Sequence, residues 1–223
     1  MTDIYSKERL YNYADNVKAC LNIDFLNPQF CIRDLCKRLG IEMHEWYFET
    51  PGLRGMMIPE DGCHAPMIML DAARSSSEKP FYAMHELIHY LKHTNEHNGT
   101  FSCYDKIKAC QNPFIEWEAN EGAAEIIMPY RLIIPEFVDN YKYQWQVNGD
   151  NEFFSVSIAA ICEMANKYKV TLSMMDNRIN NLLYEINEYC SGTDINNILP
   201  LSKRSQQALG LSIDKNLEKI IMH

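Results

Sequence analysis

Apolar positions Leu10, Tyr13, Val17 and Leu21 recur at helical spacing and predict a helix over residues 6–20. A second short helix is expected from about 28 to 38, closed by Gly40. The pattern then changes. IEMHEWYFE, LRGMMIP and PMIMLDA are short runs separated by Pro51-Gly52 and Glu60-Asp61-Gly62. They read as three antiparallel strands. Ser75-Ser76-Ser77 can cap a helix spanning about 78–93. The polar stretch 94–113 reads as a long connection, of the kind that is usually functional or mobile. Helices follow at about 113–128, stopped by Pro129, and at roughly 130–141, 156–168, 171–189 and 201–222. Helices, then a small sheet, then helices predict an α+β fold, with a small antiparallel three-stranded sheet packed on helices. Near Ser191-Gly192-Thr193 the chain turns polar. A main domain over 1–190 and a helical appendage over 191–223 are therefore expected.

Composition narrows the class. The 223 residues are 47% hydrophobic, which excludes a disordered or low-complexity chain. The formal net charge of −9 argues against direct nucleic-acid binding and against an anionic membrane surface. No apolar run approaches the roughly 18 residues of a membrane span, and the first 20 residues lack the apolar core of a signal peptide. A cytoplasmic protein is expected, with its eight cysteines reduced.

One segment carries chemistry. In His85-Glu86-Leu87-Ile88-His89 the histidines stand four apart. On a helix that spacing means about 40° of rotation and about 6 Å of rise, so both imidazoles can meet one ion. Glu86 sits beside them, within reach of a water on that ion. This is the HExxH zinc arrangement, with two ligands and a general base. A shuffled chain of this composition would show it about 0.02 times.

Catalytic zinc usually takes three protein ligands. His93 lies about 12 Å along the helix from His85 and cannot share the ion with both histidines. Asn95 stands where a metzincin would have its third histidine. The remaining source is a glutamate of the 116–124 segment, EWEANEGAA, whose small residues let two helices approach closely. Glu116, Asn120, Ala123 and Ile127 share a face there, and Asn120 could hydrogen-bond a histidine ring. His97, Cys103 and Cys110 match no zinc spacing and read as loop or core residues.

The set MHELIHYL, EWEAN and AAEIIMP resembles the ImmA/IrrE family of metallopeptidases, as do LRGMMI, PMIML and the later RINNL. The likeness covers about residues 25–185. It implies a zincin-like helical core and a Zn2+ site formed by His85, His89 and Glu116, with Glu86 as general base. It also implies a gluzincin-type endopeptidase that cuts a regulatory protein, often a helix-turn-helix repressor of a prophage or mobile element. Two departures stand out: Gly122-Ala123 replaces a common Phe-Ala pair, and Asp71 replaces a usual asparagine.

Other assignments are left open by the sequence. An oxyanion stabiliser could be Tyr82, Tyr90, His97, Tyr104 or Tyr130. The strand with Met67, Ile68 and Met69 is expected at a sheet edge, where an extended substrate could pair with it. The alternative function is a zinc-binding regulatory interaction module with little or no turnover. A DNA-binding role for the tail SQQALGLSIDKNLEKI is disfavoured by its shortness and by the acidic chain.

Overall fold

A computed structural model describes residues 6–25, 30–94, 99–148, 155–208 and 217–222. The chain forms two compact units, Ala14–Ile127 and Met1–Tyr13 with Met128–His223. The fold is α+β. Among the described residues no helix is long and apolar enough to cross a membrane.

The unit Ala14–Ile127 begins in helix α1 (Lys7–Cys20), which it shares with the other unit, and continues through α2 (Ile32–Arg38). Residues 26–29, where the second helix was expected to begin, lie outside the described residues. The sheet differs from expectation. It has four strands, β1 (Glu42–Trp46), β2 (Leu53–Ile58), β3 (Met67–Asp71) and β4 (Phe101–Tyr104), in the order β1-β3-β2-β4. β1 runs parallel to β3, while β2 is antiparallel to both β3 and β4.

Apolarity explains the order. β3 is the most apolar run, with Ile68 and Leu70 fully buried, and takes an interior place. Glu42, His44 and Glu45 keep β1 exposed, as suits an edge. β3 is therefore not an edge strand, and Met67, Ile68 and Met69 have neighbours on both sides. The expected pairing of substrate with this strand is corrected accordingly.

Helix α3 (Lys79–Ile88) follows, with Pro80 in its first turn, where no amide donor is needed. It continues into a π-helical turn, His89–His93. Helix α4 (Pro113–Ile127) packs on α3. A Cβ on Gly122 would meet the Ile88 side chain at 3.6 Å, so the small residue marks this close approach. Asp71 has its own local partners: Arg74 Nε at 2.9 Å and the Ala73 amide at 3.1 Å.

The other unit is helical: α5 (Tyr130–Asn148), α6 (Val156–Tyr168), α7 (Leu172–Asn181), α8 (Leu183–Cys190), α9 (Lys203–Ala208) and α10 (Leu217–Met222). Ser155 and Thr171 cap α6 and α7 through their hydroxyls. The segment expected as one helix over 171–189 is broken at Leu182. Of the helix expected over 201–222, α9 and α10 are described, and 209–216 lie outside the described residues.

Candidate metal centre

Helix α3 buries Ala83, Met84, Leu87 and Ile88, and the same packing carries His85, Glu86 and His89 inside. All three are fully buried. The two Nε2 atoms lie 3.0 Å apart. Glu116, in the first turn of α4, points its carboxylate at both. Oε2 is 3.5 Å from His85 Nε2, and Oε1 is 3.7 Å from His89 Nε2. Three donor atoms from two helices thus converge on one point. Donors held at about 2.0–2.1 Å around a tetrahedral ion stand roughly 3.4 Å apart, so the three fit one zinc-sized ion.

The outward-facing ring nitrogens are also engaged. His85 Nδ1 lies 3.0 Å from Asn120 Oδ1, one turn along α4 from Glu116. His89 Nδ1 lies 3.0 Å from His93 Nδ1. The Phe101 ring of β4 stacks on His89, with centroids 4.6 Å apart.

Electrostatics agree with a cation-binding centre. Burial disfavours a charged His89 and brings its pKa down to about 4. Burial would raise Glu116, but the facing His85 and His89 side chains overcome it and hold the carboxyl down to about 2. Near neutral pH the centre thus offers an uncharged His89 imidazole and an anionic carboxylate.

Glu86 is different. Neither of its carboxylate oxygens has a partner at full hydrogen-bond geometry. Burial, then the neighbouring charge of Glu116, pushes its pKa well above the usual range. The Cys103 and Met57 amides oppose this more weakly. A Cβ on Gly55 of β2 would stand 3.0 Å from Glu86 Oε1, so the missing side chain makes room for the carboxylate. The glycine of LRGMMI is the only sign of this cradle in the sequence.

The remaining candidates separate. Cys103 is buried in β4 and close enough to His85 and Glu86 to share a ligand sphere with them. Cys110 is exposed, and His97 lies outside the described residues. Tyr82 packs under the Arg54 guanidinium, 5.5 Å from its ring centroid. Tyr90 is half-buried on the π-helical turn. Tyr130 belongs to the helical unit, where its hydroxyl donates to Ile198 O at 3.3 Å and its ring stacks on Tyr11. Tyr104 lines a groove of about 360 Å³ together with Phe101, Ser102, Gln111 and Glu116.

Sequence reasoning missed β4 and the partners of His93. FSCY lies inside a polar stretch and is too short to show alternation. The Glu118 carboxylate lies 3.1 Å from His93 Nε2, and the i+4 spacing of His89 and His93 was the available signal.

No curated protein matches the chain at significant similarity. The IrrE N-terminal-like domain of peptidase family M78 matches residues 36–180, well over half of the chain and all of the centre described above. With an HExxH helix, a converging glutamate and that match in agreement, the chain belongs to the ImmA/IrrE family of metallopeptidases.

Proposed function

We propose that the protein is a zinc-dependent endopeptidase that cleaves a regulatory protein, such as a helix-turn-helix repressor of a prophage or mobile element. The carrying observation is the convergence of His85, His89 and Glu116 beside a buried Glu86 whose oxygens have no partner at full hydrogen-bond geometry. His85 Nε2, His89 Nε2 and the Glu116 carboxylate would hold the ion. When bound, zinc supplies a water acidified from about 15.7 to near 7 and polarises the scissile carbonyl.

The chain's own residues do the rest. Glu86 accepts the proton of the attacking water and delivers it to the leaving amine nitrogen. Burial and the neighbouring charge of Glu116 both favour the protonated carboxyl, which strengthens Glu86 as the acceptor of that proton. Gly55 keeps the space that lets the carboxylate swing between the two positions. Tyr104 shares a groove wall with Glu116 and is the tyrosine we assign to steady the developing oxyanion.

The edge that an extended substrate pairs with is β4. Among the described residues it is hydrogen-bonded to one strand only. Its Phe101 lies against His89, and its Ser102 carbonyl accepts from the Gln111 side chain at 2.6 Å, a bond that a substrate amide would replace. A repressor substrate sets the reaction in the cytoplasm and requires no direct contact with nucleic acid or membrane.

The test is incubation of the zinc-loaded protein with a repressor encoded beside its gene. Two fragments from wild type and an intact, co-purifying repressor with Glu86→Gln support the proposal. Equal binding without cleavage by both proteins supports the interaction-module reading instead. Cleavage by Glu86→Gln at the wild-type rate refutes the base assignment.

A further inference from the structure

Behind His89 runs a chain of buried polar groups that the ligand set does not use. His89 Nδ1 faces His93 Nδ1 at 3.0 Å. His93 Nε2 faces Glu118 Oε2 at 3.1 Å. Glu118 Oε1 faces Lys92 Nζ at 3.2 Å. His93 is 2% exposed and Glu118 9%. The π-helical turn His89–His93 puts the two imidazoles side by side, with centroids 5.1 Å apart. π-helical turns are rare and concentrate at functional sites.

The direction of the chain follows from proton counting. A neutral imidazole carries one N–H and one bare nitrogen. Glu118 as a carboxylate only accepts, so the His93 proton must sit on Nε2. His93 Nδ1 is then bare and accepts. His89 must supply the proton of that bond from its own Nδ1, which leaves His89 Nε2 bare and aimed at Glu116 and His85. In the reverse arrangement, the bare Nε2 of His93 would face a carboxylate oxygen, two acceptors 3.1 Å apart in a buried place. That is the costly alternative.

We propose that His93, fixed by Glu118 and Lys92, is a positioning residue that holds His89 in the tautomer and orientation that bind metal. The proposal rests on the reading of His89 as a ligand. His85 is served differently, by the single acceptor Asn120 Oδ1. Phe101 also restrains the His89 ring by stacking, so loss of His93 weakens metal binding without abolishing it.

The experiment is zinc affinity by competition with a chromophoric chelator, on the full chain. It compares wild type with His93→Phe, His93→Gln, Glu118→Leu and His89→Ala. His93→Phe and Glu118→Leu, which removes the acceptor of the His93 proton, are expected to bind one zinc per chain about 10–100-fold more weakly. His93→Gln should recover most of that loss, because its amide oxygen can accept from His89 while its amide nitrogen donates to Glu118. A purely packing role would not produce that rescue. The nitrogen NMR shifts of His89 in the metal-free protein give a second readout, with the Nδ1–H form dominant in wild type and lost in His93→Phe. Should His93→Phe fail to fold, Glu118→Leu carries the test alone, since it removes the acceptor and leaves the His93 ring in place. Wild-type zinc affinity in both His93→Phe and Glu118→Leu would overturn the proposal, as would a His93→Gln protein as weak as His93→Phe. His89→Ala separates the two levels: wild-type affinity there removes the ligand assignment itself, whatever His93 does.

Discussion

The helical unit and the surroundings of α3 treat buried polar groups in opposite ways. Among the described residues of the helical unit, each buried polar side chain has a partner within the fold. Lys7 Nζ meets Glu185 Oε1 at 3.0 Å and also bonds the Asn181 carbonyl. Glu185 further accepts from the Leu201 amide at 2.9 Å and from Gln206 Nε2 at 3.2 Å. Arg178 donates to Met128 O and to the Tyr11 hydroxyl. In the sheet-bearing unit Lys18 forms ion pairs with Asp15 and Glu125. Around α3, however, neither Glu86 oxygen has a partner at full hydrogen-bond geometry, and two imidazole nitrogens face each other and a carboxylate. Satisfied buried charges hold a fold together, whereas unsatisfied ones that converge on a point mark a place where something binds.

The contrast predicts opposite outcomes for similar substitutions. Glu86→Gln should lower turnover about 10²–10⁴-fold, the usual share of general acid–base catalysis, while the protein still folds and keeps its zinc. Because it removes an unpaired buried carboxylate, its metal-free melting temperature should equal or exceed that of wild type. A drop of several degrees would show that Glu86 is structural. Lys7→Met should do the reverse, costing about 3–5 kcal/mol of stability by stranding Glu185. Denaturant unfolding measures it, and the double variant Lys7→Met/Glu185→Leu should recover part of the loss. A Lys7→Met protein as stable as wild type would remove the contrast.

Gly55→Ala gives a smaller and more local effect. Its Cβ would crowd Glu86 Oε1 at 3.0 Å, so turnover should fall about tenfold with zinc content unchanged. Steady-state kinetics beside metal analysis would separate that outcome from loss of the ion.

The smallest effect concerns pH. His89 has a pKa of about 4 in the metal-free fold, against 6.5 for the exposed group. Between those values the unfolded chain binds more protons at this residue. Its contribution to stability is therefore full above about pH 6.5 and is lost as pH falls toward 4. Glu116, held to about 2 against 4.5, adds a loss in the same direction at lower pH. The melting temperature of chelator-treated protein should fall between pH 7 and pH 5, and His89→Phe should flatten that fall. An unchanged slope would contradict the burial argument.

The sequence showed the centre more clearly than the fold around it. HELIH and EWEAN carry part of their geometry in their spacing: helix periodicity puts His85 with His89, and Glu116 with Asn120, on one face each, while the choice of Glu116 as third ligand came from the family resemblance. Strand order was hidden, because Pro51-Gly52 between β1 and β2 suggests a meander while the pairing puts β3 between them. Only the relative apolarity of PMIML and EMHEW hinted at which strand lies inside. β4 was masked by its polar surroundings. Gly55 and Glu118 act through contacts with residues 31 and 25 positions away, which no local pattern encodes.

The most direct test of the central claim is metal content per chain for protein purified without chelator, wild type beside Glu116→Ala. Close to one zinc in wild type, with clearly weaker retention in the variant, is the predicted result. A wild-type chain that neither contains zinc nor takes it up on addition would contradict the account, and HELIH would then be a helix without its ion.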